Sequence, residues 1–296
     1  MTDIKLGIDI GGTNIKFAVV NKDKIIHSCK IKTAITRENI ISDIVGKYNE
    51  LRKEFNIGSV GVGVAGGVSN DILDTTNLPF TGFNLKAEFV KYMKGFTEVE
   101  NDANCAAIAE TKYGNVSDCK NLVLMTLGTG VGGGVVLDGN IYRGYTGCGG
   151  EIGHMIVQTI GGRKCPCGQT GCLEQYASAS ALVRSAKSAC RENPDSFLYK
   201  QYVKKEEQFS GKDIFIALEN ECNIAKKIFD EYLCYLAAGV DSVVNAFNPE
   251  AVVLAGGITV QGEKLLNPLK EKLCSKIRIE ISELQGDAGA LGATML

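Results

Sequence analysis

A strand–glycine turn–strand unit occurs twice, and this repeat constrains the fold more than any other feature. Residues 8–25, I-D-I-G-G-T-N-I-K-F-A-V-V-N-K-D-K-I, are paralleled by residues 125–141, M-T-L-G-T-G-V-G-G-G-V-V-L-D-G-N-I. Each copy begins as an apolar strand, turns through glycines, and returns as a second strand before a short polar hairpin. Two copies of one supersecondary unit in a single chain point to a duplicated α/β fold with two lobes.

The segments between the copies are consistent with this. Ile40, Ile41, Ile44, Val45, Tyr48, Leu51 and Phe55 trace one face of a helix. Ser59–Val64 reads as a strand, residues 65–84 as a long polar loop containing Pro79, Leu85–Met93 as a short helix, Phe96–Glu100 as a strand and Ala103–Tyr113 as a helix. After the second copy, Glu174–Cys190 reads as helical and residues 192–211 as a charged surface excursion. Asn220–Asn245 has a long helical pattern that Asn248-Pro249 stops. Strands at Ala251–Leu254 and Ile277–Ile281 flank a helix near residues 262–275. The lobes are expected at residues 1–114 plus 286–296 and at 115–285.

Composition narrows the function classes. With 296 residues and a net charge of -2, the chain has core material for two lobes and no excess of cations for phosphate backbones, so no nucleic-acid partner is expected. No apolar run reaches the ~20 residues of a spanning helix, so no membrane partner is expected either. The first ten residues read as a strand, not a secretion signal. Eleven cysteines without such a signal suit a reducing cytoplasm, where thiols serve packing or metals.

The densest chemistry lies at residues 147–176. Cys165, Cys167 and Cys172 fall within eight residues, and His154, one of two histidines, lies eleven residues upstream. Thiolates and imidazole are the usual zinc ligands, and Pro166, Gly168 and Gly171 supply tight turns between them. A Cys165–Cys167 disulfide is the alternative, and Cys148 is a rival fourth ligand. Glu151, His154 and Glu174 bracket this knot with groups able to face a substrate.

Two G-x-G-x-x-G matches, at Gly61/Gly63/Gly66 and Gly128/Gly130/Gly133, do not open helices as a dinucleotide fingerprint must. Two glycine hairpins together with Ala255-Gly256-Gly257 after a buried-type strand instead favour phosphate and nucleoside binding by bare backbone N–H groups. Asp9, at the end of the first strand, suits a phosphate-bound Mg²⁺. Asp102, also at a strand end, suits either a helix N-cap or a general base, and residue chemistry alone leans to the cap.

Five motifs in order, I-D-I-G-G-T-N at 8–14, E-N-D-A-N at 100–104, L-G-T-G-V-G-G-G at 127–134, E-I-G-H at 151–154 and C-P-C-G-Q-T-G-C-L-E at 165–174, resemble the ROK family of sugar kinases and sugar-responsive repressors. A-G-G at 255–257 and G-A-L-G-A at 289–293 extend the likeness to nearly the whole chain. The resemblance implies an actin-like, ribonuclease-H-type fold with ATP and sugar in a cleft between lobes. It implies ATP contacts from Asp9, Gly11, Gly12, Thr13, Asn14, Lys16, Gly128, Thr129, Gly130, Gly132, Gly133, Gly256 and Gly257. Sugar contacts would come from Gly66, Gly67, Asn77, Asn101, Asp102, Glu151, His154 and Glu174. Asp102 would be the catalytic base and His154, Cys165, Cys167 and Cys172 the ligands of a structural zinc.

The expected reaction is ATP-dependent phosphorylation of a hexose at its 6-hydroxyl, with glucose first among acceptors and Mg²⁺ accompanying the nucleotide. N-acetylmannosamine, fructose, allose or a β-glucoside are the alternatives, to be decided by Val68 and the loop at 71–84. Family repressors carry an added N-terminal helix-turn-helix domain; with Gly7 and Asp9 so early in the sequence, a repressor is the less expected reading. A homodimer is expected by analogy.

Overall fold

The computed structural model describes residues 4–75 and 78–296. The strands are β1 (Ile4–Ile10), β2 (Asn14–Asn21), β3 (Lys24–Lys32), β4 (Ser59–Val64), β5 (Gly67–Ser69), β6 (Ile72–Asp74), β7 (Phe96–Asn101), β8 (Leu122–Leu127), β9 (Val131–Leu137), β10 (Asn140–Ile141), β11 (Ala251–Ala255) and β12 (Arg278–Ile281). The helices are α1 (Arg37–Glu54), α2 (Leu85–Phe89), α3 (Asp102–Tyr113), α4 (Glu174–Ala177), α5 (Ala179–Glu192), α6 (Phe197–Lys205), α7 (Gly211–Glu219), α8 (Asn223–Phe247), α9 (Glu263–Lys272) and α10 (Ala288–Ala293).

One five-stranded sheet has the order β3-β2-β1-β4-β7 and the other β10-β9-β8-β11-β12. Numbered by chain position within each sheet, both read third, second, first, fourth, fifth. In the first, β1–β2 and β2–β3 are antiparallel and β1–β4 and β4–β7 parallel. In the second, β9–β10 is antiparallel and β11–β12 parallel. Repeated glycine units thus become repeated sheets, and the architecture is the duplicated, actin-like α/β fold.

The chain divides into two compact units, Met1–Leu124 with Gly134–Gly150 and Glu283–Leu296, and Met125–Gly133 with Glu151–Ser282. This division differs from the lobe limits expected at 114/115 and 285/286, chiefly because Gly134–Gly150 goes with the first unit.

In the first unit, Leu6, Ile8, Ile10, Val60, Val62 and Val64 meet Ile40, Ile44, Tyr48 and Leu51 of α1 in one apolar cluster. Thr36 caps α1 through the Asn39 N–H, and Arg52 and Lys53 complement its C-terminal end. Helix α10 lies in backbone contact with the sheet. A Cβ on Gly7 would stand 1.8 Å from the Ala290 carbonyl, and one on Gly61 2.0 Å from that of Ala293. The small residues of G-A-L-G-A serve this close approach.

Several sequence expectations need correction. Residues 65–84 are not a structureless loop: β5 and β6 form a hairpin, and Leu73, Leu78 and Phe80 join the apolar core. Residues 192–211 are not a surface excursion, since α6 buries Leu198 and Phe209 is buried just after it. The helix expected over 174–190 breaks at Ser178, whose side chain accepts the Ala181 N–H and starts α5. Charge along these stretches masked apolar residues spaced to reach a core.

Candidate active site

Three parallel or near-parallel strand ends place the first group of residues. Asp9 on β1 is in register with Gly63 on β4, and Gly63 with Glu100 on β7, so both carboxylates come to one end of one sheet. The β1–β2 turn is closed by Gly11 N–H donating to the Asn14 carbonyl at 3.1 Å, while Gly12 and Thr13 remain exposed. Lys16 is opposite Asp9 across β1–β2, and its Nζ donates to the Gly286 carbonyl. Burial raises the Asp9 carboxyl to about 6; Lys16 opposes the rise and Asp287 adds to it. Gly289 leaves room for Asp9, as a Cβ there would lie 2.8 Å from its Cγ.

The start of α3 shows which residue caps it. Asn101 is the N-cap, its Oδ1 accepting from Ala103 N–H at 2.9 Å and Asn104 N–H at 3.1 Å. Asp102 is the first helical residue, and its carboxylate takes the Ala103 N–H at 2.9 Å. The cap expected of Asp102 therefore falls on Asn101. The Asn101 Nδ2 also donates to the Gly66 carbonyl at 2.9 Å, joining Asn101 to the Gly66-Gly67 loop. Gly66 has φ of 140° and its Cβ would strike Asp74 and Thr75. Asn77 lies outside the described residues.

In the second unit, His154, Cys165, Cys167 and Cys172 converge, their ligand atoms all within 4.8 Å of one another. His154 Nδ1 and Cys165 Sγ are 3.7 Å apart, as are the Cys167 and Cys172 sulfurs. Zinc bound tetrahedrally at ~2.3 Å from sulfur has ligand edges of roughly 3.7 Å, so the cluster fits that ion. All of the cysteines are free thiols, which removes the disulfide alternative. Cys148 is not in the cluster. Local turns build it: Gly168 N–H donates to the Cys165 carbonyl, and Gly171, at φ of 87°, backs onto the Gln158 carbonyl. Burial and the neighbouring thiols push Cys172 up to about 12, while a backbone hydrogen bond with Gln169 lowers Cys167.

Val131, the first residue of β9, ties the knot to the second glycine turn. Its N–H donates to Glu174 Oε2 at 3.2 Å, and its carbonyl abuts Gly153 so closely that a Cβ there would lie 1.9 Å away. Glu174 and the Ile152–His154 turn are thus held to one strand end, with Glu151 exposed beside them. The Gly128–Gly130 turn closes through Gly128 N–H to the Gly130 carbonyl, and Gly132 N–H donates to Thr126 Oγ1. Gly256, at φ of 104°, packs against the Leu127 backbone, bringing Gly256-Gly257 beside Gly128.

Next to this turn is a cavity of about 730 Å³, lined by Gly128, Thr129, Ala179, Ser180, Arg184 and Lys187 among others. Sequence reasoning missed the α5 contribution. Its only signal was A-S-A-S following the knot, and that pattern also describes an ordinary helix start. Arg163 was missed as well: it lies over the Tyr176 ring at 4.7 Å and donates to the Gln175 carbonyl at 2.8 Å, bracing the helical turn that carries Glu174.

The sequence profile of the ROK family matches residues 5–296. The chain belongs to the ROK family. It is 34% identical to a glucokinase of Halalkalibacterium halodurans, over 98% of this chain and 94% of that protein. Among solved structures it is similar to a ROK family glucokinase from Streptomyces griseus in complex with glucose and AMPPNP, with a TM-score of 0.83, 31% identity, and 99% and 98% of the two chains covered. It is also similar to a ROK hexokinase from Thermus thermophilus, with a TM-score of 0.84, 28% identity, and 99% and 97% covered. Among the described residues no helix is long and apolar enough to cross a membrane.

Proposed function

We propose that this ROK protein transfers the γ-phosphoryl group of ATP to the 6-hydroxyl of a hexose, with glucose as the acceptor. The observation that carries the mechanism is at the start of α3. Asn101 does the capping, so the N-cap role is filled without Asp102, and a carboxylate at that position suits proton removal. Asp102 would take the proton of the sugar hydroxyl as its oxygen attacks the γ-phosphorus. The bond to the bridging oxygen breaks, ADP leaves, and the proton passes from Asp102 to solvent.

The remaining assignments follow residue chemistry and the family resemblance. Asn101, Gly66, Gly67, Asn77, Glu151, His154 and Glu174 would hold the sugar hydroxyls, whose fixed directions make such paired donors and acceptors selective. Gly11–Asn14, Lys16, Gly128–Gly130, Gly132, Gly133, Gly256 and Gly257 would cradle the nucleotide, with the α5 cavity beside Gly128 taking its nucleoside end. Asp9, an oxygen donor opposite Lys16, would hold Mg²⁺, which would supply charge neutralisation at the phosphates. His154 and the three cysteines would hold a structural zinc; four protein ligands close its coordination, so its part is to fix His154 and Glu174.

The glucose assignment is supported by the Halalkalibacterium glucokinase and the glucose-bound Streptomyces structure. N-acetylmannosamine, fructose, allose and β-glucosides are the rivals. An assay of ADP release over a panel of hexoses and N-acetylhexosamines tests it: glucose is expected to give the highest kcat/KM, and a tenfold preference for another sugar would replace it. We further propose a cytoplasmic homodimer without a nucleic-acid partner, which light scattering and a gel-shift measurement would check.

A further inference from the structure

We infer that Arg143 is a positioning residue for phosphoryl transfer, acting through buried Glu100 on the turn that carries Asp102. The inference rests on the reading of Asp102 as the base. Glu100 immediately precedes Asn101-Asp102, and its side chain is 3% exposed. One carboxylate oxygen accepts the Asn101 N–H at 2.9 Å and the Asn104 Nδ2 at 3.0 Å. The other accepts Arg143 Nε at 2.5 Å. The arginine reaches in from the surface, its side chain 49% exposed.

A buried carboxylate is costly unless it is paired and hydrogen-bonded, so a helix start alone gives no reason to keep one here. The Ala103 and Asn104 N–H groups are already capped by Asn101. What Glu100 adds is a rigid tie from the turn to residues 143–147. That segment is itself pressed onto β5 (Gly67–Ser69): Gly147, at φ of 88°, lies so near the Val68 carbonyl that a Cβ would stand 2.2 Å from it. Gly149 backs onto Arg143 in the same way, its Cβ position 2.8 Å from the Arg143 carbonyl carbon. With the Asn101–Gly66 hydrogen bond as the third side, the Asp102 turn, the Gly66-Gly67 loop and the Arg143–Gly147 segment brace one another. Arg143 contributes a charged tie to this triangle. A guanidinium offers Nε in a fixed direction, which a lysine ammonium matches in charge but not in shape.

A tie of this kind bears first on the orientation of the base, while the Asn101–Gly66 hydrogen bond still holds the proposed sugar contacts in place. Displacing a reacting group by about an ångström costs on the order of 100-fold in rate. Steady-state kinetics of Arg143→Met, Arg143→Lys and Asp102→Asn, with metal content measured on each protein, test the inference. Arg143→Met is expected to lower kcat 10- to 100-fold with the sugar KM within threefold and metal content unchanged. Arg143→Lys should recover part of that loss. Wild-type kcat in Arg143→Met, or a loss confined to KM, overturns the inference while an inactive Asp102→Asn leaves the base assignment standing. An active Asp102→Asn overturns both. Should Arg143→Met fail to fold, Arg143→Lys decides: a reduced kcat at unchanged KM supports the tie, and wild-type kcat refutes it.

Discussion

Asn101 and Gly66 are 35 residues apart in the chain and joined by one hydrogen bond, Nδ2 to carbonyl oxygen at 2.9 Å. The same amide caps α3 with its oxygen. A single side chain therefore fixes both the helix that presents Asp102 and the loop proposed to hold the sugar. Asn101→Ala should lose the cap and orphan the Gly66 carbonyl, lowering stability by about 2 kcal/mol. Thermal unfolding should show a drop of several degrees, together with a loss in kcat/KM; an unchanged melting curve would contradict the geometry.

Asp102→Asn keeps the shape of the turn and removes the base. Its kcat is expected to fall by roughly 10²–10⁴, with sugar affinity within a few fold by calorimetry. Full turnover in this variant would place the base elsewhere.

Asp9 carries a cost that its proposed metal would relieve. Its folded value of about 6 lies above the ordinary 3.8, so the folded state binds the proton more tightly than the unfolded chain does. For this group stability is greatest below about pH 4, declines as pH rises to about 6, and is level above that. Asp9→Asn should therefore raise the unfolding free energy at pH 8, by on the order of 2 kcal/mol, and abolish the decline between pH 4 and 6. The same variant should lose Mg²⁺-dependent activity. Denaturant titrations at pH 4, 6 and 8 measure the first effect and kinetics the second.

Cys167→Ser should reduce bound zinc from about one ion per chain to a small fraction and weaken sugar binding with it, because Glu174 and His154 lose their anchor. Since Cys172 is pushed up to about 12 without a metal, ion capture must release its proton, and zinc affinity should rise with pH. Elemental analysis and chelator competition at pH 6 and 8 check both statements. A wild-type protein purified without metal would contradict the assignment.

Local chemistry makes much of this protein legible in its sequence alone. Glycine turns between apolar strands, the C-x-C-x4-C spacing and the upstream His154 are short-range patterns, and each is reproduced where it stood in the chain. Three-dimensional packing decided the rest. Residues 65–84 looked polar, yet Leu73 within the β5–β6 hairpin and Leu78 and Phe80 beyond it reach the core. Asp102 and Asn101 both make good helix caps by residue type, and only the backbone conformation at the end of β7 assigned the duty to Asn101. The α5 wall of the cavity beside Gly128 and the Glu100–Arg143 pair join residues distant in the chain. Periodicity reports on neighbours three or four residues away; contacts across 43 residues depend on how sheets and helices fold back on one another.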